Sequence, residues 1–235
     1  MKPGVSIIIP ILNEEDLIRS HAEKLLEYLK TLERPFEIVL VSNGSTDNTD
    51  ALGRELEKRL DQVRFFSLAH KGVGRAFSLG AREARHELIV SMDMDLSIDL
   101  SFIPEAADLL EEYQIVVGSK KMGAQKRTLW RRGGSTAFIL TARLLLGLSF
   151  EDYSIAAKAY RRETILTCLD RIDYGTSYVL DIIYHTLAGG GRAKEIPVFC
   201  EDYRASRFNL LNEALYRFKN LFLLWWNYKG GLGKP

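Results

Sequence analysis

The chain has 235 residues, 46% of them hydrophobic, and 32 Lys and Arg against 31 Asp and Glu leave a formal net charge of +1. That length suits one large α/β domain better than two, and the near-neutral balance is a poor fit to a nucleic-acid binder. The two cysteines, Cys168 and Cys200, lack metal-ligand spacing and make no disulfide framework, which points to a reducing compartment. No apolar run reaches the roughly 18–20 residues of a membrane span, and the N-terminus leads straight into a strand without a signal-peptide pattern. In chain order, the β-branched residues 5–9 predict a first strand that Pro10 ends. Asn13-Glu14-Glu15-Asp16 reads as an N-cap and acidic first turn for a helix running to about residue 29. Residues 36–41 predict a second strand, followed by Ser42-Asn43-Gly44-Ser45-Thr46-Asp47 and a helix with apolar or small positions at Ala51, Leu52, Leu56 and Leu60. Residues 63–68 predict a third strand. His70-Lys71-Gly72-Val73-Gly74-Arg75 opens a helix to about residue 84, and residues 88–92 predict a fourth strand. This alternation predicts a mainly parallel sheet with helices on both faces.

The fourth strand runs into Ser91-Met92-Asp93-Met94-Asp95-Leu96-Ser97. In an open α/β sheet, ligands bind beyond the carboxyl ends of the strands. Two carboxylates spaced i and i+2 at that place can turn toward one hard cation, Mg²⁺ or Mn²⁺, that bridges phosphate oxygens. A solvated loop with two helix caps is the other reading of an isolated Asp-x-Asp. The topology brings residues 10–14, 42–47, 70–74 and 93–97 to one rim, and that convergence favours a ligand site. The second loop offers donors to a ribose or a base. The third carries a Gly-x-Gly but not the third glycine of a dinucleotide fingerprint, so its glycines read better as room for close helix packing.

Further motifs follow in order: Gly118-Ser119-Lys120, Trp130-Arg131-Arg132, Asp152, Lys158-Ala159-Tyr160-Arg161-Arg162-Glu163, Glu195-Ile196-Pro197-Val198 and Arg204-Ala205-Ser206-Arg207. Together with Pro10-Ile11-Leu12-Asn13-Glu14, the Asn43 loop, Gly72-Val73-Gly74 and Asp93-Met94-Asp95, this set resembles the family 2 glycosyltransferases, and among them the dolichyl- and polyprenyl-phosphate sugar transferases. The resemblance implies a GT-A, Rossmann-like catalytic domain over residues 1–207 and an amphipathic C-terminal helix within 208–235. It implies inverting, metal-dependent transfer of a hexose from a UDP- or GDP-linked sugar to a polyprenyl phosphate. Pro10, Leu12, Glu14 and Asn43 would line the base and ribose pocket. Asp93 would lie near the sugar and diphosphate, Asp95 would be the main ligand of Mg²⁺ or Mn²⁺, and Ser97 would stand close by. An aromatic residue is common at the Leu12 position, an Asp at Asn43, a Gln at Ser97, and a small-Gly-aromatic run at Ile155-Ala156-Ala157. An Asn offers one acceptor and one NH₂ group where an Asp accepts two donors, which leans toward uridine over guanosine.

Charge is divided along the chain. Residues 1–117 carry 13 basic and 21 acidic side chains, and residues 118–235 carry 19 and 10. Residues 118–132 hold Lys120, Lys121, Lys126, Arg127, Arg131 and Arg132 and no acid. That suits an anionic acceptor, which needs positioning and charge compensation rather than a general base. Lys120, Arg131, Arg132, Arg204 and Arg207 are therefore the expected grip on a lipid phosphate. Glu151 and Asp152 are the competing clue: either could serve as the base for a saccharide hydroxyl, or Asp152 could orient the site by contacting Lys158 or an arginine. A non-catalytic nucleotide-sugar binding subunit is a further alternative, against which the intact acid pair speaks. Residues 136–150 and 208–229 are apolar but interrupted. The latter, with Arg217, Lys219, Lys229, Trp225 and Trp226, suits an interfacial helix at the cytoplasmic face of a membrane or against a membrane-protein partner, and the alternative for both is core helices.

Overall fold

The computed structural model describes residues 2–120, 129–200 and 210–228. Strands β1 (Val5–Ile11), β2 (Phe36–Asn43), β3 (Val63–Leu68) and β4 (Leu88–Ser91) alternate with helices α1 (Ile18–Lys30), α2 (Thr49–Arg59) and α3 (Val73–Glu83). There follow α4 (Phe102–Leu109), β5 (Ile115–Ser119), α5 (Leu129–Leu146), β6 (Lys158–Arg161), α6 (Arg162–Leu166), α7 (Tyr178–Ala188), β7 (Ala193–Pro197) and α8 (Leu210–Tyr228). The seven strands lie in the order β3-β2-β1-β4-β6-β5-β7. β1 pairs in parallel with β2 and β4, and β2 with β3. β6 enters antiparallel between β4 and β5, and β7 runs parallel to β5. This is the expected α/β, Rossmann-like GT-A architecture.

The chain leaves β1 toward β2 and β3, then returns to β4 on the other side of β1. That reversal makes the carboxyl ends of β1 and β4 the crevice where an open sheet binds ligands. Two cores sandwich the sheet. β1 sends Ile7, Ile9 and Ile11 into one and Ile8 into the other, and β2 divides Ile38 and Leu40 from Val39 and Val41 in the same way. A strand buried on both faces has no polar side, which is why each reads as a continuous apolar run. Leu25 and Leu29 of α1 and Ile103 of α4 close the first core. Phe77 of α3, Ala142 of α5, Ile183 of α7 and Leu221 of α8 close the second.

Three expectations need correction. β1 does not end at Pro10 but continues to Ile11. Its partner β4 has already stopped opposite Ile8, so one side of the strand is open where the proline lacks an N–H. α1 does not start at the Asn13 cap; it begins at Ile18, with no acid in its first turn and no side-chain cap. Asn13, Glu14 and Glu15 instead spend their polar groups on the neighbouring loop, as described below. Trp225 packs against the second core, whereas Trp226 is 67% exposed, so the two tryptophans do not face the same way. Among the described residues, no helix is long and apolar enough to cross a membrane.

Candidate active site

The site is built on the carboxyl ends of β1, β2 and β4. The loops after β1 and β2 are laced together by side chains. Asn13, left-handed at φ 54°, donates its N–H to Ser45 Oγ (3.1 Å) and accepts the Thr46 N–H at Oδ1 (2.8 Å). Asn is among the few residues that adopt this backbone at low cost. Glu14 N–H reaches Thr49 Oγ1 (2.8 Å), Glu15 N–H reaches Asp47 Oδ2 (3.2 Å), and Glu15 accepts the Asn48 N–H (3.0 Å). Burial would raise the Asp47 carboxyl, but the Thr49 hydroxyl and N–H and the Glu15 N–H hold it below the usual carboxylate range. Pro10 and Leu12 are half-buried beside this lacing.

Asn43, at the end of β2 and 7% exposed, accepts the Gly72 N–H at Oδ1 (2.5 Å). One of its two acceptor sites is thus committed, and its NH₂ group is the larger part of what it can offer a base. Gly74 donates to the carbonyls of Tyr174 (3.0 Å) and Gly175 (3.2 Å), and Arg75 N–H points to Tyr174 O (3.3 Å). A Cβ on Gly74 would lie 2.2 Å from the Asp173 carbonyl oxygen. The glycines therefore serve close backbone approach, and the start of α3 has its N–H groups engaged by protein rather than open to a phosphate.

Past β4, Asp93 is exposed and Asp95 is half-buried. The turn is made by Leu96 at φ 48°, with Leu96 N–H to Asp93 O (3.3 Å) and Ser97 N–H to Asp95 Oδ1 (3.0 Å). Ser97 Oγ stands 4.0 Å from Cys200 Sγ. Although Asp93 opens to solvent, the protein massed around it and the Asp95 carboxylate push its carboxyl up to about 6, with Lys120 and Lys158 opposing and Glu14 adding to the rise. Glu14, Asp93, Asp95 and Lys120 thus share one electrostatic site. Among the described residues, no three His, Cys, Asp or Glu side chains form a metal cluster. One or two carboxylates are what a Mg²⁺- or Mn²⁺-type ion needs when a diphosphate and water fill its other positions. Asp95 fits that demand, with Oδ1 held by Ser97.

A second charge cluster adjoins the first. Asp152 is 3% exposed; Oδ1 accepts the Ser154 N–H (2.8 Å), the Ser154 hydroxyl (2.7 Å) and the Ile155 N–H (3.2 Å), and Oδ2 accepts the Lys120 N–H (3.4 Å). Burial would raise this carboxyl, but the Lys158 ammonium, the Ser154 donors and Lys120 hold it below the usual range. Lys158, fully buried on β6 between Ser91 and Val117, donates to Ile155 O (2.6 Å). Burial pushes its ammonium down to about 8 against the pull of Asp152 and Glu195. Glu195 on β7 accepts the N–H groups of Glu151 (2.9 Å) and Asp152 (3.0 Å), and burial raises it despite those bonds. Glu151 pairs with Arg143 at 3.3 Å. Asp152 is a tethered anion, with three donors on Oδ1 and its carboxyl held below the usual range, which makes it a weak general base. The sequence offered Lys158 as one contact through which Asp152 could orient the site, in line with the charge it sets beside Asp152 here, and gave Glu195 no role.

Arg131 and Arg132 lie on α5, with their side chains outside the described residues; Lys121, Lys126, Arg127, Arg204 and Arg207 lie wholly outside them. The described residues next to these stretches are at the rim. Lys120 is bonded to Asp152, and Cys200 forms an isolated bridge with Ile98, just past the acid pair.

The profile of the family described as Glycosyl transferase family 2 matches residues 6–215. An undecaprenyl-phosphate 4-deoxy-4-formamido-L-arabinose transferase of Proteus mirabilis is 27% identical over 212 residues, 88% of this chain and 63% of that protein. The protein of the same name from Yersinia enterocolitica is 30% identical over 199 residues, 83% of this chain and 58% of its own. The chain thus spans about six-tenths of the length of these curated relatives. A crystal structure of glucosyl-3-phosphoglycerate synthase from Mycobacterium tuberculosis with UDP superposes with a TM-score of 0.74 at 18% identity, over 95% of this chain and 80% of that one. The same enzyme with Mn²⁺ and UDP-glucose gives 0.71 at 16% identity, over 95% and 79%. These structures share the fold.

Proposed function

The chain belongs to glycosyl transferase family 2, and from that premise we propose that it moves a sugar from a nucleotide diphosphate sugar to a polyprenyl phosphate, with inversion at the anomeric carbon. The observation that carries the choice of acceptor is the state of Asp152. Both of its oxygens accept hydrogen bonds and Lys158 helps hold its carboxyl below the usual range, so it is a weak base for a hydroxyl, and Glu151, the other candidate, is paired with Arg143. A phosphate needs no base. In the proposed reaction a phosphate oxygen of the acceptor attacks the anomeric carbon, a carbon–oxygen bond forms on the face opposite the leaving group, and the nucleoside diphosphate departs with the bonding electrons. The names of the relatives as undecaprenyl-phosphate sugar transferases support this acceptor class.

Pro10, Leu12, Glu14 and Asn43 would hold base and ribose. Asp93 would face the sugar and diphosphate, and Asp95, with Ser97 nearby, would hold Mg²⁺ or Mn²⁺. Such a cation supplies charge neutralisation of the leaving diphosphate. Lys120, Arg131, Arg132, Arg204 and Arg207 would grip the acceptor phosphate, Arg through its planar fork. The proposed sugar is a hexose. The donor test includes the 4-deoxy-4-formamido-L-arabinose type as well, because the relatives are named for it.

We place the protein at the cytoplasmic membrane face, bound peripherally. Support comes from the outer surface of α8, where Leu211, Leu215, Phe222 and Trp226 are exposed, next to Leu140 and Leu144 of α5, the latter 83% exposed. Exposed apolar side chains on two helices, with the exposed Lys219 on α8, match an anionic lipid surface. The proposed division of the chain is a catalytic unit over 1–207 and a surface helix over 208–235, with the inner side of that helix packed on the catalytic unit.

Incubation with radiolabelled UDP- and GDP-sugars, polyprenyl phosphate and Mn²⁺ is the decisive experiment. Formation of a lipid-phosphate sugar supports the proposal, and faster transfer to a free saccharide hydroxyl overturns it. Flotation with anionic vesicles, lost in Leu144→Glu with Trp226→Ala, tests the membrane surface separately.

A further inference from the structure

The acid-pair loop is held from outside by a residue of α1. His21 Nδ1 lies 2.8 Å from the main-chain oxygen of Met94. A carbonyl oxygen only accepts, so Nδ1 carries a proton and donates, whether the ring is neutral or charged. Met94 stands between Asp93 and Asp95, and its side chain is 3% exposed in the first core. Its carbonyl belongs to the same planar peptide unit as the Asp95 N–H. Fixing that oxygen fixes the plane from which the Asp95 side chain departs.

The rest of the loop needs such a clamp. Leu96 is left-handed, a conformation that a non-glycine residue keeps only when its surroundings over-determine it. On its far side the loop is anchored by Ser97 N–H to Asp95 Oδ1 and by the bridge between Ile98 and Cys200. On its near side the His21 bond is the matching anchor. His21 rides on a helix whose next residue, Ala22, and whose Ile18 and Leu25 are fully buried, so the donor comes from a rigid support.

We propose that His21 is a positioning residue for the cation site: its Nδ1–H locks the Met94–Asp95 peptide and so keeps the Asp95 carboxylate aimed at a divalent cation carrying a nucleoside diphosphate. The proposal rests on the reading of Asp95 as a cation ligand. His21 touches neither the cation nor the donor. Hydrogen-bond partners that orient a metal ligand are typically worth 10–100-fold in metal affinity.

The test measures Mn²⁺ binding in the presence of UDP, by electron paramagnetic resonance of free Mn²⁺, together with calorimetry of UDP without metal. The variants are His21→Leu, His21→Gln, His21→Asn and Asp95→Asn. An Asn amide nitrogen can take the place of Nδ1, whereas a Gln amide nitrogen reaches the place of Nε2. His21→Leu and His21→Gln are expected to weaken Mn²⁺ about ten-fold. His21→Asn retains wild-type affinity, metal-free UDP binding is the same in all three, and Asp95→Asn loses the Mn²⁺ site. Wild-type Mn²⁺ affinity in His21→Leu and His21→Gln, with Asp95→Asn defective, overturns the proposal and leaves Asp95 as the ligand. His21→Asn as weak as His21→Gln also overturns it. Unaltered Mn²⁺ binding in Asp95→Asn overturns the ligand reading and the proposal together. Should His21→Leu fail to fold, the Gln and Asn pair decides alone.

Discussion

The two sides of the rim are built differently. On the proposed donor side, the loops after β1 and β2 are joined by hydrogen bonds between short polar side chains and backbone, such as Asn13 with Ser45 and Thr46, and Glu14 with Thr49. On the proposed acceptor side, the buried Asp152 and Lys158 and the half-buried Glu195 form a charge cluster brought together from β6, β7 and the segment before them. Neutral bonds at the surface hold a shape at small individual energies, about 1 kcal/mol each. Buried charges hold one by necessity, since each is costly without its partner. The donor side should therefore tolerate single changes in stability while losing activity, whereas a change within the buried charges should cost stability first.

The largest expected effect probes the buried cluster. Asp152→Ala leaves buried Lys158 without the anion that most favours its charge and should cost about 3–5 kcal/mol of stability, read from denaturant unfolding. A variant as stable as wild type would remove the contrast between the two sides. Next comes Asp95→Asn, which should lower turnover about 10²-fold or more by weakening stabilisation of the leaving diphosphate. Its midpoint of unfolding should hardly move, and full turnover in this variant or in EDTA would end the cation reading.

Smaller effects sharpen the contrast. Lys120→Ala should raise the acceptor KM by several-fold, the scale of one charge-assisted contact, and leave UDP affinity as it was. On the donor side, calorimetry should find UDP tighter than GDP, because Asn43 has one acceptor site spent on Gly72. GDP binding ten-fold tighter would overturn that reading of Asn43. The smallest effect concerns pH. Burial raises the Asp181 carboxyl from its ordinary value to about 7, so the folded chain holds a proton there that the unfolded chain has released. Its contribution to stability is present below pH 4 and is lost as pH rises to about 7. Asp181→Asn should flatten the stability profile in that window, and a profile identical to wild type would count against a protonated Asp181.

The first four strands and the rim they carry were legible because β1, β2 and β4 are buried on both faces and are written as local runs of apolar residues, and β3, at the edge, still buries Val63 and Phe65 in alternation. The acid pair was legible because it follows such a run directly. The start of α1 was misread. Asn13-Glu14-Glu15-Asp16 has the composition of a cap, but its polar groups are taken by Ser45, Thr46, Asp47, Thr49 and Asn48, partners more than thirty residues away. Trp225 and Trp226 were read as a pair, although adjacent positions on a helix point about 100° apart.

By itself, then, the sequence determined the β-α alternation, the parallel core of the sheet and the position of Asp93 and Asp95 at a strand end, because these follow from periodicities within a few residues. Tertiary structure alone decided that β6 enters antiparallel beside β4. It also chose Lys158 rather than an arginine as the cation beside Asp152 and buried it fully, and it decided that His21 reaches the carbonyl of Met94. The strand pairing and the His21 bond depend on partners far away along the chain, and Lys158, close to Asp152 in sequence, is buried by the distant strands β4 and β5. The energy of a charge or a donor is set by what surrounds it after folding, and no local pattern records that.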